Sequence, residues 1–165
     1  MNRDIVVIAH NLRSCQNVGS LLRTADGIGV SKLYLTGYSP YPKRKNDERL
    51  PHLAEKIDKR ISKTSLGSEK SVDWIHSADI KKVIRDLKKD GYTILALEQT
   101  PSSISLEKYT PTQKTAVILG RETDGIEDDV LKIADGAVYI PMLGTKESFN
   151  VVQAAAMALY RLRFF

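Results

Sequence analysis

In residues 17–30, NVGSLLRTADGIGV, the apolar positions Val18, Leu21, Leu22, Ala25 and Ile28 recur at steps of three and four. That spacing predicts a helix with one face against a core. Asn17 is expected to cap it, and Gly27 and Gly29 to end it. Arg23 points away from the apolar face, and Gly19 stands one turn before it on the same side. A glycine inside a helix costs about 1 kcal/mol relative to alanine, so this one calls for a reason.

The same reading gives the other elements. Residues 4–9, 32–37, 92–98, 115–120 and 137–141 are short apolar runs, several of them β-branched, and predict buried strands. Residues 77–91 form a clear amphipathic helix with Ile80, Val83, Ile84 and Leu87 inward. Further helices are expected at 53–61, at 126–136 with an acidic first turn that suits the helix dipole, and at 148–165. Strands alternating with helices predict an α/β fold, a mostly parallel sheet with helices on both faces. With neither repeats nor low-complexity stretches, residues 1–165 read as one domain.

Between the second strand and the next helix, YSPYPKRKNDERLP breaks the pattern with prolines and charges and reads as a long exposed loop. Most of the chain's net charge of +5 sits here: residues 40–63 hold eight basic and four acidic side chains. Such a patch fits a polyanionic partner or a solvated surface with ordinary salt pairs. No apolar run approaches the roughly 18 residues of a membrane span. The first ten residues lack the features of a secretion signal. A cytoplasmic protein is expected, without a membrane partner, and the single cysteine, Cys15, is expected to be a buried thiol.

Three strand ends carry unusual loops: QTPSSISLEKY after Glu98, GRETDG after Leu119, and PMLGTKESFN after Ile140. Ligands of open α/β sheets bind beyond the carboxyl ends of strands, and Gly120, Gly125 and Gly144 would admit a close backbone approach. GRETDG lacks the ending of a phosphate-binding P-loop, and no GxGxxG follows a strand. His10, His52 and His76 have no metal-ligand spacing, so no metal is expected. These residues imply a pocket of three loops beside a basic patch and leave the ligand open.

Taken together, three ordered stretches resemble the motifs of the SpoU (TrmH) family of the SPOUT superfamily, RNA ribose 2′-O-methyltransferases. They are NVGSLLRTADGIGV, AVILGRETDGI and YIPMLGTKESFNVVQAAAMALY. Phe149 stands where leucine is usual and Val152 where a small hydroxyl residue is common. The resemblance implies a deep trefoil knot in the C-terminal part of the sheet, a device otherwise almost absent from folds. It implies S-adenosylmethionine (AdoMet) in that knot, at Leu97, Gly120, Ile140, Met142, Phe149 and Asn150.

It also implies a site containing Arg23, Asn17, Glu122, Ser148 and Asn150. Arg23 would be the catalytic residue, either as general base or as a group that fixes the RNA and stabilises developing charge. Gly19 would then clear room for ribose or phosphate beside Arg23. RNA is the implied partner, tRNA first and ribosomal RNA second, with a non-catalytic RNA-binding or ribosome-assembly role as the remaining alternative. Lys43, Arg44, Lys45 and Arg49, with Arg23, would hold its phosphates. A homodimer packed near the small-residue run AAAMA of the last helix is implied as well.

Overall fold

A computed structural model describes residues 3–165. The chain order is β1 (Asp4–His10), α1 (Cys15–Ile28), β2 (Lys32–Thr36), α2 (Pro51–Ser65), β3 (Trp74–Ser77), α3 (Ile80–Lys89), β4 (Thr93–Leu97), β5 (Ile104–Ser105), β6 (Lys114–Leu119), α4 (Asp128–Leu131), β7 (Gly136–Tyr139) and α5 (Val151–Phe164). The strands form one sheet in the order β3-β2-β1-β6-β4-β7-β5, and every pairing in it is parallel. This is the expected fold class. Alternate residues of β1 serve opposite faces. Ile5, Val7 and Ala9 pack with α1, α2 and α5, whereas Val6 and Ile8 pack with α3 and the segment around α4.

All four inward positions predicted for α3 are buried, as is Cys15. Two strands have no counterpart in the periodicity. Both β3 and β5 are edge strands of four and two residues, too short to alternate legibly. The helix expected at 126–136 shrinks to a single turn, because the chain must bend back at Asp135, whose carboxylate accepts from Ile94 N at 2.8 Å.

Two expectations about α1 are corrected. Its cap is Ser14, whose hydroxyl accepts from Asn17 N at 3.1 Å; Asn17 lies within the first turn. Gly19 does not face open space beside Arg23. It is buried against α2, where a Cβ would lie 3.0 Å from Ser65 N and far inside contact distance of Thr64 Oγ1 and the Ile61 carbonyl oxygen. The glycine lets two helices touch backbone to backbone. At the other end Gly29, at φ +72°, closes the helix by donating to Asp26 O.

Candidate functional site

The carboxyl ends of β4, β6 and β7 open into a cavity of about 430 Å³. Leu97, Gly120, Ile140, Met142, Phe149 and Asn150, the six positions expected to hold the cofactor, all line it. Its floor is a tight hairpin in which Arg121 and Gly125 exchange both backbone hydrogen bonds, at 3.0 and 3.1 Å. Gly120 is needed for that closure. A Cβ there would lie 2.6 Å from Ile126 Cγ1 and 2.7 Å from Gly125 O. Gly125 has φ +68° and lies against the Glu98 carboxylate, which also accepts from Ile126 N at 3.0 Å. Glu98 thus ties the β4 loop to the β6 loop, a role its place at a strand end did not reveal.

At the mouth of the cavity the three motifs meet. Asn17 Nδ2 donates to Glu122 Oε1 at 3.1 Å, and Asn150 Nδ2 donates to Asn17 Oδ1 at 3.3 Å. Asn150 Oδ1 meanwhile caps α5 by accepting from Val152 N at 2.9 Å. Residues more than a hundred positions apart in the chain are therefore held in one chain of hydrogen bonds, and Ser148 lines the cavity beside them. Arg23 is not brought to this group. It lies six residues along α1 from Asn17, about 9 Å of helix rise, and is exposed, with no hydrogen-bond or ion-pair partner among the described residues.

Next to the cavity-lining Arg121 lies a largely buried polar cluster that the sequence did not reveal. His10 is 6% exposed. Its Nδ1 meets Thr36 Oγ1 at 2.9 Å and its Nε2 meets Asn11 Nδ2 at 3.1 Å. Asn11 also donates to Glu127 Oε1 at 2.9 Å, and Glu127 lies 3.6 Å from the Arg121 guanidinium. Burial pushes the His10 pKa below its ordinary value, with Glu127 pulling the other way. Asn11 holds φ +55°, a backbone state that sequence patterns do not report.

The basic segment differs from expectation. Arg49 is not a free phosphate ligand: it grips Asp47 through two bonds of 2.6 and 2.8 Å, donates to the Tyr41 and Pro42 carbonyls, and stacks 3.7 Å from the Tyr41 ring centre. Arg49 holds the Asp47 carboxyl well below the usual carboxylate range. Tyr41 stacks in turn on His76, at 4.1 Å between ring centres. The loop is therefore built around an internal cation rather than left free. Lys43 pairs with Glu55 at 3.1 Å and Arg44 is half-buried near Tyr41, while Lys45 is exposed. On the opposite face of the sheet, Lys81 and Lys88 are paired with Asp129 and Asp135.

Among the described residues no cluster of three or more His, Cys, Asp or Glu could hold a metal, and no helix is long and apolar enough to cross a membrane.

Comparison with known proteins gives the arrangement its context. The model of the SpoU rRNA Methylase family matches residues 4–160. The tRNA (guanosine(18)-2′-O)-methyltransferase of Thermus thermophilus is 31% identical over 160 residues, which are 95% of this chain and 73% of that protein. Among solved structures, the TrmH/SpoU tRNA modifying enzyme of Aquifex aeolicus superposes with a TM-score of 0.79 at 25% identity, covering 98% of this chain and 74% of its own. The AdoMet-bound rRNA methyltransferase of Sinorhizobium meliloti superposes at 0.81 and 20% identity, over 99% of this chain and 57% of its own. A family model matched over nearly the whole chain settles the kinship: this chain belongs to the SpoU methylase family.

Proposed function

We propose that this protein transfers a methyl group from AdoMet to a ribose 2′-hydroxyl of tRNA. The observation that carries the reading is the Glu122–Asn17–Asn150 chain of hydrogen bonds at the mouth of a cavity lined by all six expected cofactor positions. The cavity fits the group. Leu97, Ile140 and Met142 offer apolar walls for a flat heterocycle, and the glycine hairpin leaves backbone polar groups within reach of it. AdoMet supplies an electrophilic methyl on a sulfonium. The protein has to hold the ribose oxygen in line with it and leave the hydroxyl proton a route to bulk water as the bond forms.

Asn17 and Asn150 keep the Glu122 carboxylate aimed at the mouth, where it orients the ribose. Arg23 is the proposed catalytic side chain. As an exposed cation away from the mouth of its own chain, it fits a site shared between two copies, with Arg23 of the partner subunit reaching the ribose of the bound RNA. A guanidinium holds its proton tightly, so positioning the RNA and stabilising oxyanion charge is the role we assign it. A homodimer would cover Met157, Tyr160, Phe164 and Phe165, apolar side chains that α5 and the residue after it leave exposed. The trefoil knot and a cytoplasmic location belong to the same proposal. The tRNA preference rests on the Thermus and Aquifex relatives; ribosomal RNA is the second reading, favoured by the description of the family.

The test is transfer of labelled methyl from AdoMet to an unmodified tRNA transcript, with the product mapped for 2′-O-methylation. Arg23→Ala should retain cofactor affinity and lose at least ~10²-fold in transfer rate. A variant within a few-fold of wild type overturns the Arg23 assignment, and no AdoMet binding by the wild type overturns the enzyme reading.

A further inference from the structure

On the far side of Glu122 from the cavity stand two residues that neither the motifs nor the charge pattern singled out. Arg13 N donates to Glu122 Oε2 at 3.4 Å, so Arg13 adjoins the hydrogen-bonded trio. Its side chain is exposed and lies near the Tyr38 hydroxyl, whose electrostatic interaction with the guanidinium raises the Arg13 pKa. Tyr38 is 53% exposed.

The backbone beneath Tyr38 is held unusually firmly. Tyr38 N donates to Asn11 Oδ1 at 3.1 Å, and Asn11 is one of two described non-glycine residues at positive φ. Gly37, just before Tyr38, has φ +65° and lies so close to Asn11 Oδ1 that a Cβ there would overlap it. Asn11 is locked from below by His10 and Glu127. Two left-handed residues, the buried His10 and the half-buried Glu127 thus converge on presenting one aromatic side chain to solvent. Glycine takes the left-handed region without cost, but a non-glycine residue such as Asn11 does so uncommonly, and such states gather at functional sites.

Resting on the proposed function, we infer that Tyr38 and Arg13 form a platform for the RNA segment being methylated, Tyr38 stacking on an unpaired base and Arg13 contacting the adjoining phosphate. An exposed aromatic face beside a guanidinium matches how proteins hold splayed-out RNA bases. The position suits it as well. A ribose at the Glu122 mouth carries its base and phosphate a few ångströms outward, and Arg13 and Tyr38 line that side.

The experiment measures binding of an unmodified tRNA transcript by wild type, Tyr38→Ala, Tyr38→Phe and Arg13→Ala across a salt series, with S-adenosylhomocysteine (AdoHcy) affinity and melting temperature in parallel. Tyr38→Ala should weaken RNA binding about tenfold or more with an unchanged salt slope, because stacking releases no counterions. Tyr38→Phe should stay within about twofold. Arg13→Ala should reduce the slope of log K against log salt by up to roughly 0.7–0.9. AdoHcy affinity should be unchanged in all three. Wild-type RNA affinity in Tyr38→Ala, or a Tyr38→Phe loss equal to it, overturns the platform. So does wild-type protein that binds AdoHcy and no transcript. Absence of AdoHcy binding by the wild type instead strikes the underlying function.

Discussion

Gly19→Ala separates packing from chemistry. The added Cβ meets the Ile61 carbonyl oxygen and Ser65 N, backbone atoms that no rotamer can move, as well as Thr64 Oγ1. Helix α2 has to lift from α1. Overpacking of this kind costs about 1–3 kcal/mol. The bond from Thr64 Oγ1 to Gln16 O, 2.9 Å long, goes with it, a further loss of about 1 kcal/mol. Alanine's better helix propensity returns about 1 kcal/mol. The net is about 2 kcal/mol of destabilisation, or roughly 4–8 °C in melting temperature for a chain of this size. Gly27→Ala is the control. It lies in the same helix with nothing within 4 Å of the new Cβ, so it should gain up to about 1 kcal/mol. Thermal melts followed by circular dichroism at fixed protein concentration read both. If Gly19→Ala melts at or above the wild-type temperature while losing methyl transfer, the glycine clears space for substrate and the packing argument fails.

Three further outcomes follow from the geometry. Burial depresses the pKa of both His10 and His76; below the ordinary value of 6.5 the unfolded chain takes up protons that the folded one resists, so stability is full above that pH and declines as pH falls beneath it. The melting temperature should drop from pH 7.5 to 5.5, and drop less in His10→Gln; a rise over that interval contradicts the assignment. Gly120→Ala should break the Arg121–Gly125 hairpin and weaken AdoHcy binding at least tenfold by calorimetry, and an unchanged affinity removes the hairpin from the site. Arg49→Lys should lower the melting temperature, since an ammonium cannot reproduce the two-pronged grip on Asp47 together with its bonds to the Tyr41 and Pro42 carbonyls; a variant of full stability with weakened RNA binding would restore Arg49 to the RNA surface.

Hydrophobic periodicity was enough to specify the strands β1, β2, β4, β6 and β7, the helices α1, α3 and α5, and the inward face of α3. Those signals are local: a buried strand must be apolar, and an amphipathic helix must repeat at its own pitch. The three loops after β4, β6 and β7 likewise marked where the cavity opens, because ligands of a parallel sheet bind beyond its strand ends; the individual lining residues came from the resemblance to the SpoU family. The meaning of particular side chains depended on what lay opposite them in space. Gly19 and Arg23 share a side of one helix, yet α2 covers the first and leaves the second exposed. Arg49 sits in a run of cations indistinguishable by charge, but Asp47 and Tyr41 fold around it and take it out of solution. Asn11, His10 and Glu127 show no pattern in sequence because their partners lie up to 117 positions away and their role is to hold a left-handed turn. A contact energy is set by distance across the fold, and only the tertiary structure decides which residues are close enough to have one.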